Sequence, residues 1–113
     1  MNADIKAQWV AALRSGDYKQ THGTLREGDA FCCLGVLCNL HAQAHPEFAA
    51  MQDSASVYMG AGAVLPEAVT RWAGLSDQRG NFVTIGRNDG RLAAHNDVGR
   101  TFAEIADAIE GQL

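Results

Sequence analysis

Residues 31–40 read Phe31-Cys32-Cys33-Leu34-Gly35-Val36-Leu37-Cys38-Asn39-Leu40 and form the most apolar run of the chain. All three cysteines of the protein lie in this run. Its apolar residues recur at helical spacing, which predicts a helix from about residue 31 to 44 that ends before Pro46. We expect this helix to be the centre of the core. Gly35 should contact a neighbouring backbone closely, because glycine otherwise weakens a helix.

The clustered cysteines raise the question of a metal site. A zinc ion needs four nitrogen or sulfur ligands, usually supplied as two separated pairs. The candidate ligands are Cys32, Cys33, Cys38, His41 and His45. No second pair follows elsewhere in the sequence, so no metal or other cofactor is predicted. Cys33 and Cys38 are instead interpreted as buried, metal-free thiols that pack like small hydrophobic residues.

A reactive thiol at Cys32 is the alternative. If Asp29 caps a helix that begins near Ala30, Cys32 lies in the first turn, where the helix N-terminus lowers the pKa of a thiol. An odd number of cysteines without an export signal also favours a reducing compartment.

Length and charge limit the function classes. A chain of 113 residues is expected to form one domain, spanning 1–113. The net charge of −4 disfavours general nucleic-acid binding, which requires a basic surface. No apolar run is long enough for a membrane-spanning helix, and the N-terminus has no signal-peptide pattern. These features predict a cytoplasmic protein that does not bind membranes.

Three further helices are predicted from periodicity and end signals. The first carries an apolar stripe from Ile5 to Leu13 and stops at Gly16. The second begins with Pro66 as its first residue and is closed by Gly74, with Val69, Trp72 and Ala73 on its inner face. In the last, Thr101 and Glu104 form a capping box, and Gly111 is the stop. Its predicted buried stripe consists of Phe102, Ile105, Ala106 and Ile109.

The strand signals are shorter. Residues 18–29 are polar and are interpreted as a loop with Leu25 as an anchor. Residues 56–59 and 63–65 flank Gly60-Ala61-Gly62 and predict a hairpin. Residues 82–85 predict another strand, and residues 87–90 a turn. The chain is therefore predicted to be α+β, with about four helices packed around a small antiparallel sheet.

Three motifs together resemble a family of small uncharacterised proteins of tailed phages and prophages. They are Trp9-x-x-Ala12-Leu13-Arg14-Ser15-Gly16, Phe31-Cys32-Cys33-Leu34-Gly35-Val36-Leu37-Cys38, and Asn96-Asp97-x-Gly99-Arg100-Thr101-Phe102-x-x-Ile105-Ala106. Leu65-Pro66 followed by Trp72-x-Gly74-Leu75 also fits. More distantly, the chain is similar to an actinobacterial domain of unknown function. The resemblance implies a phage context, in the cytoplasm of an infected bacterial host, but no activity. At His95 the chain departs from the pattern, where a leucine is usual.

A candidate binding site follows from the polar connections that precede the two best-defined helices. If the helices are roughly parallel, these connections bring together Tyr18, Arg26, Asn96, Asp97 and Arg100. Arginine would hold an anionic group, the Asn-Asp pair would bond hydroxyls or base edges, and the tyrosine would offer a stacking face. Basic residues also concentrate nearby, since Arg79, Arg87 and Arg91 fall in the same half of the chain.

No catalytic motif is recognisable. The sequence therefore favours a non-catalytic binding protein that sequesters a small anionic or nucleotide-like host molecule, with counter-defence as a purpose suggested by analogy with other phage accessory proteins. Two alternatives remain open. One is an inhibitor that masks a host protein by direct contact. The other is a small thiol-dependent or hydrolytic enzyme that uses Cys32 or Asp97. The oligomeric state is not predicted.

Overall fold

The computed structural model describes residues 1–49 and 58–113, and over these residues the chain has six helices. They are α1 (Ala3–Arg14), α2 (Cys33–Ala44), α3 (Pro46–Ala49), α4 (Glu67–Ala73), α5 (Leu92–Asp97) and α6 (Phe102–Gln112). The same residues contain two small sheets, so the fold is α+β as predicted. The sequence indicated about four helices and missed the short α3 and α5.

The five strands of the described residues are β1 (Lys19–Gln20), β2 (Arg26–Glu27), β3 (Ala30–Phe31), β4 (Phe82–Ile85) and β5 (Asn88–Arg91). β3 is central in the first sheet, parallel to β1 and antiparallel to β2. β4 and β5 form a separate antiparallel hairpin. The predicted loop over 18–29 therefore contains β1 and β2, and one sheet is not purely antiparallel. Strands of two residues are too short for alternation to reveal them.

Helix α2 is the centre of the core. Residues 33–38 are all buried, so this part of the helix is covered on every side. The indole Nε1 of Trp9 in α1 donates to the carbonyl of Cys33 at 2.9 Å. The predicted close contact at Gly35 is confirmed, because a Cβ at this position would lie 1.7 Å from the carbonyl oxygen of Leu25.

The start of α2 differs from the prediction. The helix begins at Cys33, and Cys32 is its N-cap, with Sγ accepting from the backbone N–H of Gly35 at 3.4 Å. Phe31 belongs to β3 instead. Asp29 does not cap the helix, since its carboxylate is exposed and pairs with Lys19 at 2.9 Å. Because Ala30 and Phe31 pair as strand β3, the backbone stays extended up to Cys32, and the helix begins only at Cys33.

The predicted hairpin over 56–65 is wrong in its second strand. Residues 63–65 are not a strand, and the pairing is a single bridge between Tyr58 and Ala61. Residues 56 and 57 lie outside the described residues. In the other hairpin, strand β4 is confirmed, but the turn is Gly86-Arg87 rather than 87–90. Gly86 has a φ of 63°, as expected for the first position of a type II′ turn.

The remaining helix signals are largely confirmed. The capping box of Thr101 and Glu104 is present at the start of α6, which continues one residue past Gly111. Pro66 is the N-cap of α4 rather than its first residue. Gly74 closes α4 with a φ of 74°, a left-handed conformation that glycine adopts without strain.

Candidate functional site

Asn96 is fully buried at the end of α5, where its side chain joins three segments of the chain. Oδ1 accepts from the backbone N–H of Cys33 at 3.2 Å and from Nε2 of Gln20 at 2.9 Å. Nδ2 donates to the carbonyl of Thr21 at 2.8 Å and lies 3.4 Å from a carboxylate oxygen of Asp97. An amide offers two acceptor and two donor positions, so all four are used within the protein.

Asp97 and Arg100 bind neighbouring parts of the same chain. The Asp97 carboxylate accepts from the backbone N–H of Gly23 at 2.8 Å and remains exposed. The Arg100 guanidinium donates to Glu104 at 3.0 Å and to the carbonyl of Ile85 at 3.2 Å. These contacts connect the end of α5 to the loop after β1 and to the end of β4.

Tyr18 and Arg26 gather around the ring of Phe31. The Tyr18 ring packs edge-on against Phe31 with centroids 5.1 Å apart, and its hydroxyl accepts from Nδ2 of Asn39 at 2.6 Å. The Arg26 guanidinium lies 5.0 Å from the centre of the same ring, and its Nε donates to the carbonyl of Gly28. Both side chains therefore have partners on the β1-β3-β2 sheet.

The contacts thus divide the five predicted residues into two groups. Asn96, Asp97 and Arg100 are linked through Gln20, whose Nε2 also donates to the carbonyl of Arg100 at 2.7 Å. Tyr18 and Arg26 share Phe31 instead. Asn96 and Asp97 belong to α5, not to a connecting turn as predicted. Ligand binding by these five residues stays a prediction.

The cysteines are free thiols, and all three are buried. Burial raises the pKa of Cys32, and the nearby carboxylate of Asp97 raises it further, although hydrogen bonds from backbone N–H groups act in the opposite direction. Burial also raises the pKa of Cys33 and Cys38. Burial therefore outweighs the helix N-terminus that the reactive-thiol interpretation relied on. Cys32 is a neutral thiol at pH 7, which is the less nucleophilic form.

The candidate metal ligands do not converge. Cys33 Sγ lies 3.7 Å from the carbonyl of Leu92, and His41 Nδ1 lies 2.7 Å from the hydroxyl of Tyr58. Over residues 1–49 and 58–113, no group of three or more histidine, cysteine, aspartate or glutamate side chains is arranged to hold a metal ion.

His41 is buried in an aromatic cluster at the end of α2. Its ring lies 5.0 Å from Trp72 and 5.5 Å from Phe48, and the ring of His45 is 4.8 Å away. Burial lowers the pKa of His41, and the neighbouring His45 lowers it further, while Glu47 opposes the change. The neutral imidazole is the form that this packing stabilises.

We expect the free energy of unfolding to fall as the pH drops below about 6.5, the usual histidine pKa. Because the folded pKa of His41 is lower than the unfolded one, the unfolded chain binds a proton between these two values that the folded protein does not. The contribution of neutral His41 to the free energy of unfolding is complete above the pKa of this group in the unfolded chain. It is lost as the pH falls towards its pKa in the folded protein. Urea unfolding of wild type and His41→Gln over this range measures the effect.

The matched control for that experiment is His22→Gln, which removes an exposed histidine. This variant should keep the wild-type dependence on pH, whereas His41→Gln should show a shallower one. Equal slopes in wild type and His41→Gln would contradict the assignment.

Two features were not predicted as sites. One is a cleft of about 560 Å³ beside α4, lined by Val64, Glu67, Thr70, Arg71, Leu75, Ser76, Asp77, Gln78 and Arg79. The other is the contact between Gln112 and β4, flanked by two smaller clefts. Arg79 belongs to the arginine set seen in the sequence, but its cleft exists only after α4 packs against the following turn. No sequence signal marks Gln112.

These features define a small α+β protein with a buried central helix and open surface clefts. The chain belongs to the family described as Domain of unknown function (DUF8296), whose model matches residues 1–113. Comparison with curated proteins gave no match, and neither did comparison with solved structures. Within the described residues, no helix combines the length and the hydropathy needed to cross a bilayer.

Proposed function

We propose that the protein is a non-catalytic binding protein that sequesters a small anionic, nucleotide-like molecule in the cleft beside α4. The observation that carries this proposal is the position of Arg79, which lines a cleft of about 560 Å³. Its guanidinium has no carboxylate partner among the residues that the structure describes. Small-molecule sites typically enclose roughly 300–1,000 Å³, so the cleft has a suitable size.

The charges around the cleft support an anionic ligand. Arg71 pairs with Glu67, and Asp77 accepts from Nε of Arg91 at 2.7 Å. The backbone N–H of Arg79 and the side chain of Arg91 lower the pKa of Asp77, so this carboxylate is ionised and its charge is balanced. Among the described residues that line the cleft, the exposed Arg79 is then the cation without an ion-pair partner. Such a group suits bidentate contact with phosphate or carboxylate.

Apolar side chains complete the cleft. Val64 and the buried Leu75 line it beside these polar groups. A flat group such as a base can pack on them while the arginine contacts a phosphate. The arginines of the five-residue site have less capacity for this role, because Arg26 already stacks on Phe31 and Arg100 already pairs with Glu104.

The resemblance to phage proteins supports a place for this activity in the cytoplasm of an infected bacterial host, with counter-defence as the proposed purpose. A thiol-dependent enzyme has less support, because Cys32 is only 4% exposed and its pKa is raised by burial. No hydrogen bond joins Cys32 to a histidine among the described residues.

A thermal-shift screen of nucleotides, cyclic dinucleotides and inorganic phosphate tests the proposal. A ligand at one hundred times its Kd stabilises a protein by about 2.7 kcal/mol through mass action, which should raise the Tm of wild type by roughly 10 °C. Arg79→Gln should lose most of this shift. Arg87→Gln is the matched control, because Arg87 is exposed in the turn between β4 and β5 and does not line the cleft.

If Arg79→Gln and wild type respond equally to a bound nucleotide, the cleft is not the site. If no compound of the screen shifts wild type while a host protein co-purifies stoichiometrically, the protein acts by masking a partner instead.

A further inference from the structure

The side chain of Gln112, at the end of α6, occupies the outer edge of β4. Its Nε2 donates to the carbonyl of Thr84 at 2.7 Å, and the backbone N–H of Thr84 donates to its Oε1 at 2.8 Å. A residue of a neighbouring antiparallel strand would exchange the same two hydrogen bonds with Thr84. The glutamine amide therefore takes the place of one residue of a missing strand.

The rest of this edge follows from the register of the hairpin. β4 pairs with β5 on its other side, with Ile85 opposite Asn88 and Thr84 opposite Asp89. The two-residue turn makes Ile85 and Asn88 a hydrogen-bonded pair, and bonded pairs alternate along an antiparallel ladder. Thr84 and Phe82 therefore both turn their N–H and C=O groups outward. Of these two residues, only Thr84 has a hydrogen-bond partner on the outer side of β4 among the described residues.

Clefts lie on both sides of Gln112 and make the edge accessible. One, of about 290 Å³, is lined by Glu104 and Asp107 of α6 and extends to the hairpin turn. The other, of about 330 Å³, is lined by Phe82 and Asp89. Gln112 lines both clefts, so it separates them in the free protein. If its side chain turned away, the two clefts would join into one groove along β4.

The charges along this groove identify the kind of partner. Neither cleft has a lysine or arginine among its lining residues. Two arginines, Arg100 and Arg14, pair with three carboxylates of α6, namely Glu104, Asp107 and Glu110. Asp89 accepts from the hydroxyl of Thr84 at 2.5 Å and has no cationic partner among the described residues. The carboxylates along the groove therefore outnumber the arginines that pair with them, which favours a basic segment as the partner.

An exposed aromatic ring adds an apolar contact. Phe82 is 60% exposed. The guanidinium of Arg91 lies over one face of its ring, 4.6 Å from the ring centre. The exposed part of this ring can contact a strand that adds to β4.

We propose that the outer edge of β4 is a docking site for an extended, basic peptide segment of another protein, which adds to β4 as a strand and displaces the side chain of Gln112. Strand addition to an exposed sheet edge is an established mode of peptide recognition, in which main-chain hydrogen bonds provide affinity and side-chain pockets provide specificity. The proposed site shares no residue with the cleft beside α4. Its test can therefore fail while the proposed function stands, and the reverse also holds.

The test uses a fluorescein-labelled peptide of about seven residues in which lysine alternates with threonine, a β-branched residue that favours extended strands. Fluorescence anisotropy should show binding to the full chain. Gln112→Ala should bind about three- to tenfold more tightly, because the peptide no longer competes with two internal hydrogen bonds. Gln43→Ala, which truncates an exposed glutamine of α2, is the matched control and should bind as wild type does.

Charge reversal tests the electrostatic part of the proposal, and backbone methylation separates strand addition from simple charge attraction. Asp89→Lys should weaken binding, a peptide with glutamate in place of lysine should not bind, and a peptide N-methylated at alternate residues should lose binding. The amide resonances of Phe82 and Thr84 should shift most when the peptide is added. The proposal is overturned if the N-methylated peptide binds as well as the parent, or if Gln112→Ala and wild type have equal affinity.

Discussion

Gly35→Ala is expected to destabilise the protein by at least ~3 kcal/mol, which is a large fraction of the stability of a typical domain. The new Cβ would lie 1.7 Å from the carbonyl oxygen of Leu25 and 2.7 Å from its carbonyl carbon. These are backbone atoms, so no side-chain rotation relieves the contact. The Leu25 carbonyl also accepts from the N–H of Cys32 at 3.1 Å, so moving it disturbs the start of α2. Urea unfolding measures the effect.

Gly111→Ala is the matched control, because Gly111 is also helical but a Cβ added there would have no neighbouring atom within 4 Å. Alanine in a helix is favoured over glycine by roughly 0.5–1 kcal/mol, so this variant should be equally or more stable than wild type. A Gly35→Ala variant as stable as Gly111→Ala would show that α2 does not approach Leu25 as described.

Asn96→Asp is expected to destabilise the protein by about 3–5 kcal/mol at pH 7, the usual cost of an uncompensated buried charge. The two side chains have nearly the same shape. The second carboxylate oxygen, however, would face the carbonyl of Thr21 and the carboxylate of Asp97, where the native amide donates. Because burial and Asp97 would raise the pKa of the new carboxyl group, stability should recover as the pH is lowered towards that pKa.

The exchange at the next residue, Asp97→Asn, is the control for this experiment. Asp97 is exposed and accepts from Gly23, and an asparagine oxygen can accept the same hydrogen bond. We expect this variant to stay within about 1 kcal/mol of wild type. Chemical unfolding at pH 5 and pH 7 separates the two variants. If both variants lose a similar amount of stability and neither recovers at pH 5, then Asn96 is not buried in this network.

The proposed sites were only partly predictable from the sequence. The sequence singled out Asn96 and Asp97 as a polar pair, but it gave no way to tell whether their partner was a ligand or the chain itself. The Asn96 carboxamide binds Cys33, which is 63 positions away. Likewise, the arginine set included Arg79, but only the packing of α4 against the turn after it determines which guanidinium lines a cleft.

The sequence by itself determined the three main helices and their buried faces. Apolar spacing identified α1, α2 and α6, and the capping box marked the start of α6. These signals lie within a few residues of one another, since a helix bonds each residue to one four positions away. The burial of Cys33 and Cys38 follows from the same local pattern.

Only the tertiary structure determined where the short strands form and how the side chains of the proposed sites are buried and hydrogen-bonded. β1 and β3 are too short to show a pattern and exist because distant residues pair. Burial, which depends on every neighbour, keeps Cys32 a neutral thiol despite its place at a helix start. The contact between Gln112 and Thr84 spans 28 positions. Contacts of this kind depend on how the helices pack, which no short window of sequence encodes.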